Sequence, residues 1–409
     1  MKSKKVFVLG VGAQGSAAAK KFDLEPNVEQ IICADRDKNA VESLVKDLKK
    51  AKGATIDAGD KNSIVAAAQG ADLILNGLPL PFAQIVMEAA LEVGANYQDY
   101  AASNCFGENG WIESIRTQYN EYGKRFAEIG KLGLIGTGSA PGLICAATRS
   151  AMRHLDSCET IYNIVWEGVV TKRFLPFWWS PVTALYDMSQ KGWAFENGEI
   201  VRLEAFEHPI KRKYDYMEKE ITFVEHCHDE PVYYGLNSEK CFKGVKNVYF
   251  KYAGAGVDFS KPLYKAGLLS HEKEAVGDAE VKPFDVVLNH IPPAPKYKEE
   301  IKEIIDEGLI LDSGCMAIEA YGKKDGKDVL VEVHVSAPGL VESFERAGIT
   351  AEMYLTGQGG FLFSKMFLND QFDQTGVISS DMLTQSQVDT YFSYADELGI
   401  TLDTKVKKL

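Results

Sequence analysis

Short apolar runs alternate with segments of helical periodicity over roughly the first 140 residues of the chain. The apolar runs predict strands at Val6–Leu9, Gln30–Ala34, Ala54–Ile56, Asp72–Asn76, Tyr97–Tyr100 and Leu132–Gly136. The segments between them predict helices at Ala13–Phe22, Asn39–Lys50, Ser63–Ala68, Phe82–Val93 and Trp111–Ile129. Because regular alternation is typical of a parallel sheet covered by helices on both faces, the pattern predicts an α/β fold with a doubly wound sheet.

The pattern changes at the loop Gly138–Gly142, where Pro141 is suited to opening a helix. That helix is predicted at Leu143–His154. The extended, aromatic-rich segments that follow predict a mostly antiparallel sheet, at Ile161–Val170, Ile221–Glu225 and Asn247–Tyr252, with a hairpin of Gly314–Tyr321 and Val329–Ser336. The end of the chain predicts helices again, at Tyr354–Leu368 and Ser386–Leu398.

At 409 residues the chain is too long for one ordinary hydrophobic core, which favours two domains. We predict a doubly wound domain over residues 1–142 and a second, α+β domain over residues 143–341. Residues 342–409 are predicted to form a helical segment that returns to the first domain.

The first predicted strand runs directly into the glycine-rich loop Gly10-Val11-Gly12-Ala13-Gln14-Gly15, and the second ends on Asp35. In this pattern the first glycine permits a tight turn, the second lets the backbone approach a pyrophosphate, and the third allows close helix–strand packing. The helix that follows directs its positive N-terminus toward the phosphates. Strand, glycines, helix, strand and acid in this register predict a Rossmann dinucleotide-binding domain.

Asp35 indicates which dinucleotide is bound. A carboxylate at this position accepts hydrogen bonds from the ribose hydroxyls of NAD and repels the 2′-phosphate of NADP. Since Arg36 follows at once and offers that phosphate a cation, NAD is favoured while NADP stays open. The residues predicted to contact the cofactor are Gly10, Gly12, Ala13, Gln14, Gly15, Asp35, Arg36, Gly77, Leu78, Pro79 and Ser139.

Composition excludes several classes of partner. With 45 basic and 58 acidic residues the formal net charge is −13, which argues against nucleic-acid binding, and no apolar run approaches the length of a membrane span. The 7 cysteines are scattered without paired spacing, which fits a reducing cytoplasm better than a disulfide framework. The segment His226-Cys227-His228 has no second group of metal ligands near it in sequence, so we interpret it as ordinary strand and predict no metal.

Several stretches together resemble the saccharopine dehydrogenase-like oxidoreductases, above all their lysine 6-dehydrogenase branch. They are Gly10–Gly15, Asn76–Pro79, Val93–Asp99, Gly138–Leu143, Trp179–Pro181, Lys251–Gly254 and Thr375–Ile378. Two departures are visible. Saccharopine-forming members usually carry an acid where this chain has Ala140, and the segment Tyr100–Ala102 lacks the hydroxyl that the lysine branch tends to place there.

The resemblance implies NAD-dependent oxidation of a C–N bond in an amino acid, with hydride passing to the nicotinamide and water opening the resulting imine. Such a reaction needs a base for the amine. Asp99 is the candidate, with Tyr100 beside it at the end of the fifth predicted strand.

The resemblance also places the substrate in the second domain. Lys172 and Arg173 are the candidates for binding its carboxylate, and Trp179 for contacting its aliphatic chain. Further polar groups of this domain are Glu167, Tyr252 and His290.

Two alternative functions stay open at this stage. One is the reverse chemistry, a reductive condensation that makes saccharopine or carboxynorspermidine; the other is a dinucleotide-binding sensor or scaffold without catalysis. In the enzymatic interpretations we expect a small amino acid or amine as substrate, no nucleic-acid or membrane partner, and a homodimer.

Overall fold

The structure, a computed structural model, describes residues 3–101 and 110–409. The chain divides into two compact units, one of Met1–Ala146 and Met353–Gly399, the other of Ala147–Glu352 and Ile400–Leu409. The predicted boundaries are residues 142 and 341, whereas the units change over after Ala146 and Glu352. The last ten residues, Ile400–Leu409, belong to the second unit and include a strand at Thr401–Lys408.

The first unit is built on a parallel sheet, seven-stranded within the described residues, in the order β19-β6-β5-β4-β1-β2-β3. Its strands are β1 Lys4–Leu9, β2 Val28–Asp35, β3 Ala51–Thr55, β4 Leu73–Asn76, β5 Asn96–Asp99, β6 Leu132–Ile135 and β19 Gly376–Ser379. Its helices are α1 Ala13–Leu24, α2 Lys38–Lys46, α3 Lys61–Ala67, α4 Ala83–Val93, α5 Gly110–Thr117, α6 Gly123–Glu128, α15 Gly359–Leu368 and α16 Gln385–Asp396. The helix α7 Leu143–Ala151 contains the point, after Ala146, at which the chain passes from the first unit to the second.

This sheet confirms the predicted α/β fold with a doubly wound parallel sheet. The residues Val6–Leu9 of β1 are all fully buried, as expected for a strand covered on both faces. The predicted strand positions agree with β1 to β6 to within a few residues. The strand order reverses between β1 and β4, and in open α/β sheets ligands bind at such a switch point.

The second unit is built on a mostly antiparallel sheet whose main path within the described residues runs β10-β9-β13-β7-β17-β18-β20. These strands are β7 Ser157–Glu167, β9 Gly192–Glu196, β10 Glu199–Leu203, β13 Asn247–Gly254, β17 Gly314–Lys324, β18 Lys327–Ser336 and β20 Thr401–Lys408. The strand β12 Ile221–Glu225 pairs with β13 and connects β11 Ile210–Arg212 to this sheet. Two small two-stranded sheets are formed by β8 Val170–Thr171 with β16 Leu309–Leu311, and by β14 Glu274–Val276 with β15 Ala279–Val281. The predicted hairpin is confirmed as β17 and β18, which turn at Asp325 and Gly326, both at positive φ.

The helices of this unit are α8 Pro181–Met188, α9 Glu230–Leu236, α10 Ser238–Cys241, α11 Ala255–Lys265, α12 Pro283–Leu288, α13 Lys298–Glu307 and α14 Leu340–Ala347. On one face of the sheet, Ile164, Trp166 and Ala253 pack against Tyr214 and Phe223. Because side chains alternate along a strand, Glu167 of β7 and Tyr252 of β13 project from the opposite face.

Two further observations bear on the predicted class of protein. None of the helices among residues 3–101 and 110–409 is long and apolar enough to span a bilayer. The six cysteines in this part of the chain are buried.

Candidate functional site

The glycine-rich loop of the first unit has the geometry of a phosphate-binding turn. Gly10 has φ +88°, a conformation that favours glycine, and a Cβ on Gly15 would lie 1.9 Å from the carbonyl oxygen of Gly10. A Cβ on Gly12 would meet nothing within 4 Å, so the space beside this backbone is open. Gly12 also precedes the first turn of α1, whose free N–H groups attract an anion. The loop therefore offers an open, electropositive position to a pyrophosphate.

Asp35 lies next to this loop at the end of β2. Its Oδ2 accepts a hydrogen bond from the Val11 N–H at 2.9 Å, and its Oδ1 accepts one from the Asp37 N–H at 3.0 Å. These bonds orient the carboxylate while leaving lone pairs for a ribose diol. Arg36 is exposed directly beside it, and Lys38 is exposed at the start of α2.

The end of β4 faces the same loop. A Cβ on Gly10 would lie 2.8 Å from the carbonyl carbon of Gly77 and 3.0 Å from the side chain of Leu78. The Leu78 N–H donates to Asn76 Oδ1 at 3.1 Å, which fixes the turn that leads to the exposed Pro79. These residues surround the switch point of the sheet, where the sequence places the cofactor.

The remaining predicted cofactor residues lie in the same unit. Ala13 and Gln14 form the first turn of α1, and the Gln14 carbonyl accepts a hydrogen bond from the Tyr100 hydroxyl at 3.4 Å. Ser139 is half-buried in the loop after β6. Their contacts with a cofactor stay predictions.

The second unit contains a cluster of ionisable side chains that we call the acidic cluster. Its members are Glu167, Asp187, His226, His228, Asp229, Glu230, Tyr252 and Glu352. Glu167 lies on β7, Asp187 on α8 and Tyr252 on β13, while His226 to Glu230 run from the end of β12 into the start of α9. The cluster brings five carboxyl groups to one side of the sheet. Glu167, Asp187 and Glu352 are partly accessible to solvent, so the cluster is open to a small molecule.

Aromatic stacking holds the two histidines of the acidic cluster. The His228 ring lies parallel to Phe250 with centroids 4.0 Å apart and an interplanar angle of 7°. The His226 ring stacks on Tyr252 at 4.7 Å. Both rings therefore have fixed planes.

The two histidines differ in charge. Burial alone lowers the pKa of His228, but the charge and hydrogen bond of Glu230, whose Oε2 lies 2.5 Å from His228 Nδ1, outweigh that effect and raise the pKa to about 9. Burial lowers the pKa of His226 well below its ordinary range. At neutral pH His228 is an imidazolium and His226 is neutral.

Three carboxyl groups of the acidic cluster, those of Glu167, Asp187 and Glu352, have raised pKa values. Burial, with a contribution from Asp229, raises the pKa of Asp187 to about 8. Burial also raises the pKa of Glu167 and of Glu352, and the charge of Glu167 raises that of Glu352 further. Carboxyl groups of this kind ionise readily only when a cation enters beside them, and they accept a proton near neutral pH.

Residues 6–131 match the family described as saccharopine dehydrogenase NADP binding domain. Over 416 aligned positions the chain is 25% identical to carboxyaminopropylagmatine dehydrogenase of Synechocystis sp., with 97% of this chain and 96% of that protein covered. It is also 25% identical over 368 positions to carboxynorspermidine synthase of Vibrio alginolyticus, with 87% and 83% covered. These matches support a saccharopine dehydrogenase-like family for this chain.

Solved structures show the same fold over the whole chain. Apo saccharopine dehydrogenase (L-Glu forming) from Saccharomyces cerevisiae has a TM-score of 0.70 at 12% identity, covering 99% of this chain and all of that one. Homospermidine synthase from Legionella pneumophila in complex with NAD has a TM-score of 0.65 at 13% identity, covering 100% and 92%. Together with the open glycine loop, the match to the NADP binding domain of this family confirms a nicotinamide dinucleotide as the cofactor.

Asp99 is the predicted base, and both of its carboxylate oxygens accept hydrogen bonds within the first unit. The residue is 1% exposed, its Oδ1 accepts the Gly136 N–H at 2.8 Å, and its Oδ2 accepts the Tyr97 hydroxyl at 2.8 Å. Burial raises the pKa of the neighbouring Tyr100. This geometry favours a structural role at the ends of β5 and β6, and a catalytic role of either residue stays a prediction.

The predicted substrate residues are likewise not brought into the acidic cluster. Arg173 makes a bidentate ion pair with Glu307, with Nε 2.7 Å from Oε2, and lies 3.4 Å from Glu303. Lys172 is exposed near Gly308. Trp179 is half-buried just before α8, the helix that carries Asp187. Substrate binding by these three residues stays a prediction.

The segment His226-Cys227-His228 is predicted as ordinary strand, and this prediction is wrong, because β12 ends at Glu225. Its two histidines lie in the acidic cluster together with Asp229 and Glu230. The available signal was the local density of ionisable side chains, His, His, Asp and Glu within five positions. Glu167 and Tyr252, singled out as further polar groups, do meet in the cluster, while His290 is exposed elsewhere.

Proposed function

We propose that this protein is an NAD(P)-dependent oxidoreductase that reductively joins an amino-acid aldehyde to the primary amine of a cationic chain, such as a diamine or agmatine. Amine and aldehyde lose water to form an imine, and hydride reduces the imine to a secondary amine. The acidic cluster is the observation that carries this proposal, because five carboxyl groups around one side of a sheet suit a substrate with several positive charges.

The protonation of the acidic cluster suits the first step of such a reaction. An ammonium group cannot attack an aldehyde until it has lost a proton. Asp187 has a carboxyl group with a pKa of about 8. The entering ammonium displaces the proton of this carboxyl group, and the resulting carboxylate is then able to take a proton from the ammonium at neutral pH. An ordinary surface aspartate is too weak a base for this task.

The names of the relatives support the same class of product. Carboxynorspermidine and carboxyaminopropylagmatine each contain a carboxyl-bearing unit joined to an amine or guanidine chain. These names favour the condensation alternative over the lysine 6-dehydrogenase branch suggested by sequence resemblance. Ala140, in place of the acid usual in saccharopine-forming members, favours a partner other than glutamate.

The preferred dinucleotide is a separate part of the proposal. The placement of Asp35 beside the loop favours NAD, since its carboxylate opposes a 2′-phosphate. The exposed Arg36 and Lys38 provide the cations by which NADP would be accepted. We propose NAD as the preferred cofactor, with NADP as a slower substitute.

The test is a substrate panel with both directions measured at the absorbance of the reduced nicotinamide. In the reductive direction, NADH or NADPH is combined with aspartate semialdehyde and one amine: 1,3-diaminopropane, putrescine, agmatine, lysine or glutamate. The proposal predicts oxidation of the nucleotide with a diamine or agmatine. Turnover only with lysine and NAD in the oxidative direction would instead establish the lysine dehydrogenase, and nucleotide binding without any turnover would establish a sensor or scaffold.

A homodimer is part of the proposal and is tested independently. Sedimentation velocity at micromolar concentration is expected to give a mass near twice the 45.1 kDa of the chain. A single species at the mass of one chain contradicts it.

A further inference from the structure

We propose that His228, oriented by the buried Glu230, donates the proton that expels water when the amine–aldehyde adduct becomes an imine. This inference rests on the proposed function and adds to it the group that performs the dehydration. His228 would act as the catalytic acid, and Glu230 would be its positioning residue.

The pair is rigid and asymmetric. Glu230 is fully buried, and its Oε2 lies 2.5 Å from His228 Nδ1. The stack on Phe250 fixes the plane of the imidazole ring. With Nδ1 engaged, His228 Nε2 makes no hydrogen bond to any residue in the described part of the chain, so one N–H stays available to a substrate. A histidine that is held through one nitrogen and open at the other has the arrangement of a general acid.

The surroundings keep this histidine charged. Ionisable groups face His228 from each element packed against it. They are Glu167 of β7, Asp187 of α8, Glu230 of α9, Tyr252 of β13, Glu352, and His226 and Asp229 of the segment between β12 and α9. The charge and hydrogen bond of Glu230 contribute most to the raised pKa of His228, Asp229 adds to them, and His226 is neutral. The cation at His228 is therefore maintained, which a general acid requires at neutral pH.

The proposed step balances as follows. The amine and the aldehyde form a neutral carbinolamine, R–CH(OH)–NH–R′. His228 Nε2–H gives its proton to the hydroxyl oxygen, the C–O bond breaks, and the nitrogen lone pair forms the C=N bond. The products are water, a neutral imidazole and the iminium ion, whose carbon then accepts hydride from NAD(P)H to give the secondary amine. The imidazole regains its proton from solvent before the next turnover.

A second Glu–His pair in the same unit supplies a matched control. His334 Nε2 lies 2.9 Å from Glu332 Oε1, and both side chains are almost fully buried. His334 Nδ1, however, is engaged by the Tyr216 hydroxyl at 3.0 Å, so neither nitrogen is available to a substrate. Substitution of His334 removes a buried Glu–His pair without touching the acidic cluster.

The experiment compares wild-type protein with His228→Gln, Glu230→Gln and His334→Gln in the reductive direction between pH 6 and 10. In wild type, kcat is expected to fall as the pH rises through about 9, because the acid loses its proton. His228→Gln should lower kcat about a hundredfold or more and abolish this alkaline limb, with KM for the nucleotide unchanged. Glu230→Gln should move the limb to lower pH, and His334→Gln should leave it in place.

Titration of the His228 ring by NMR, with the ring carbons labelled, gives a readout that does not depend on turnover. The ring is expected to titrate well above an ordinary histidine in wild type and at lower pH in Glu230→Gln. A limb that survives in His228→Gln, or a ring that titrates at the same pH in both proteins, overturns the inference while the proposed function stands. Absence of turnover by wild type with every amine overturns the proposed function and this inference together.

Discussion

The most direct test of the acidic cluster is the coupling between amine binding and proton release. The pKa of Asp187 is raised to about 8 by burial in the empty cluster. Since the ionised carboxylate is the form that binds a cation, an entering diamine must release the proton that Asp187 holds. Affinity should therefore rise with pH, up to the pKa of the empty site and no further.

The size of the effect follows from that value. For a group of pKa about 8, roughly one molecule in a hundred is ionised at pH 6 and half are ionised at pH 8. The apparent affinity should then rise about fifty-fold between these pH values, which corresponds to about 2.3 kcal/mol for this one group. Because the pKa values of Glu167 and Glu352 are raised as well, we expect the apparent affinity of the whole cluster to rise at least fifty-fold over this pH range.

Isothermal titration calorimetry measures both quantities with 1,3-diaminopropane and agmatine as ligands. Titrations in two buffers of different ionisation enthalpy at pH 7 should show release of about one proton or more per amine bound. Asp187→Asn should remove about one proton from this count. Asp258→Asn, which changes an exposed carboxylate at the start of α11, should change nothing. Binding that is independent of pH from 6 to 8, without proton release, would refute the reasoning.

Three further predictions concern the first unit. Gly12→Ala should keep the thermal stability of wild type, because the added Cβ meets nothing within 4 Å, but it should weaken nucleotide binding at least tenfold. Gly15→Ala should lower the free energy of unfolding by about 1–3 kcal/mol, because its Cβ clashes with Gly10. Thermal melts and calorimetry with NADH distinguish the two effects. Asp35→Ala should weaken NAD about tenfold or more and NADP much less, and an equal loss for both nucleotides would show that the carboxylate does not touch the ribose. Asp99→Asn should lower the free energy of unfolding by about 1–3 kcal/mol because both carboxylate oxygens are hydrogen-bonded; loss of turnover with full stability would restore Asp99 as a catalytic base.

The first unit was largely predictable because its signals are local in sequence. The strands β1, β4 and β6 consist mainly of apolar residues, and the glycine loop and Asp35 lie among the first 35 residues of the sequence. The exception is β19, a four-residue strand that pairs with β6 from more than 240 positions away. No pattern in so short a segment indicates its partner, since the pairing depends on tertiary contacts.

The predictions for catalytic and substrate residues were weaker because they depended on residue type without knowledge of partners. Asp99 has the position expected of a catalytic base, at the carboxyl end of a strand, but Gly136 and Tyr97 engage both of its oxygens. Arg173 has the charge expected of a carboxylate-binding residue, but Glu307 engages its guanidinium from 134 positions away. Gly136 and Glu307 are distant in sequence from the residues that they engage, and only the folded chain reveals these contacts.

The same reasoning explains why the cofactor was clear from the sequence and the substrate was not. A dinucleotide is bound largely by backbone geometry, which leaves a fixed spacing of glycines in the sequence. A cationic substrate is bound by side-chain charges, and no motif connects Glu167, Asp187 and Glu352, the carboxyl groups that we propose for this role. The proposal of an amine with more than one positive group therefore rests on the carboxyl groups that the second unit brings together.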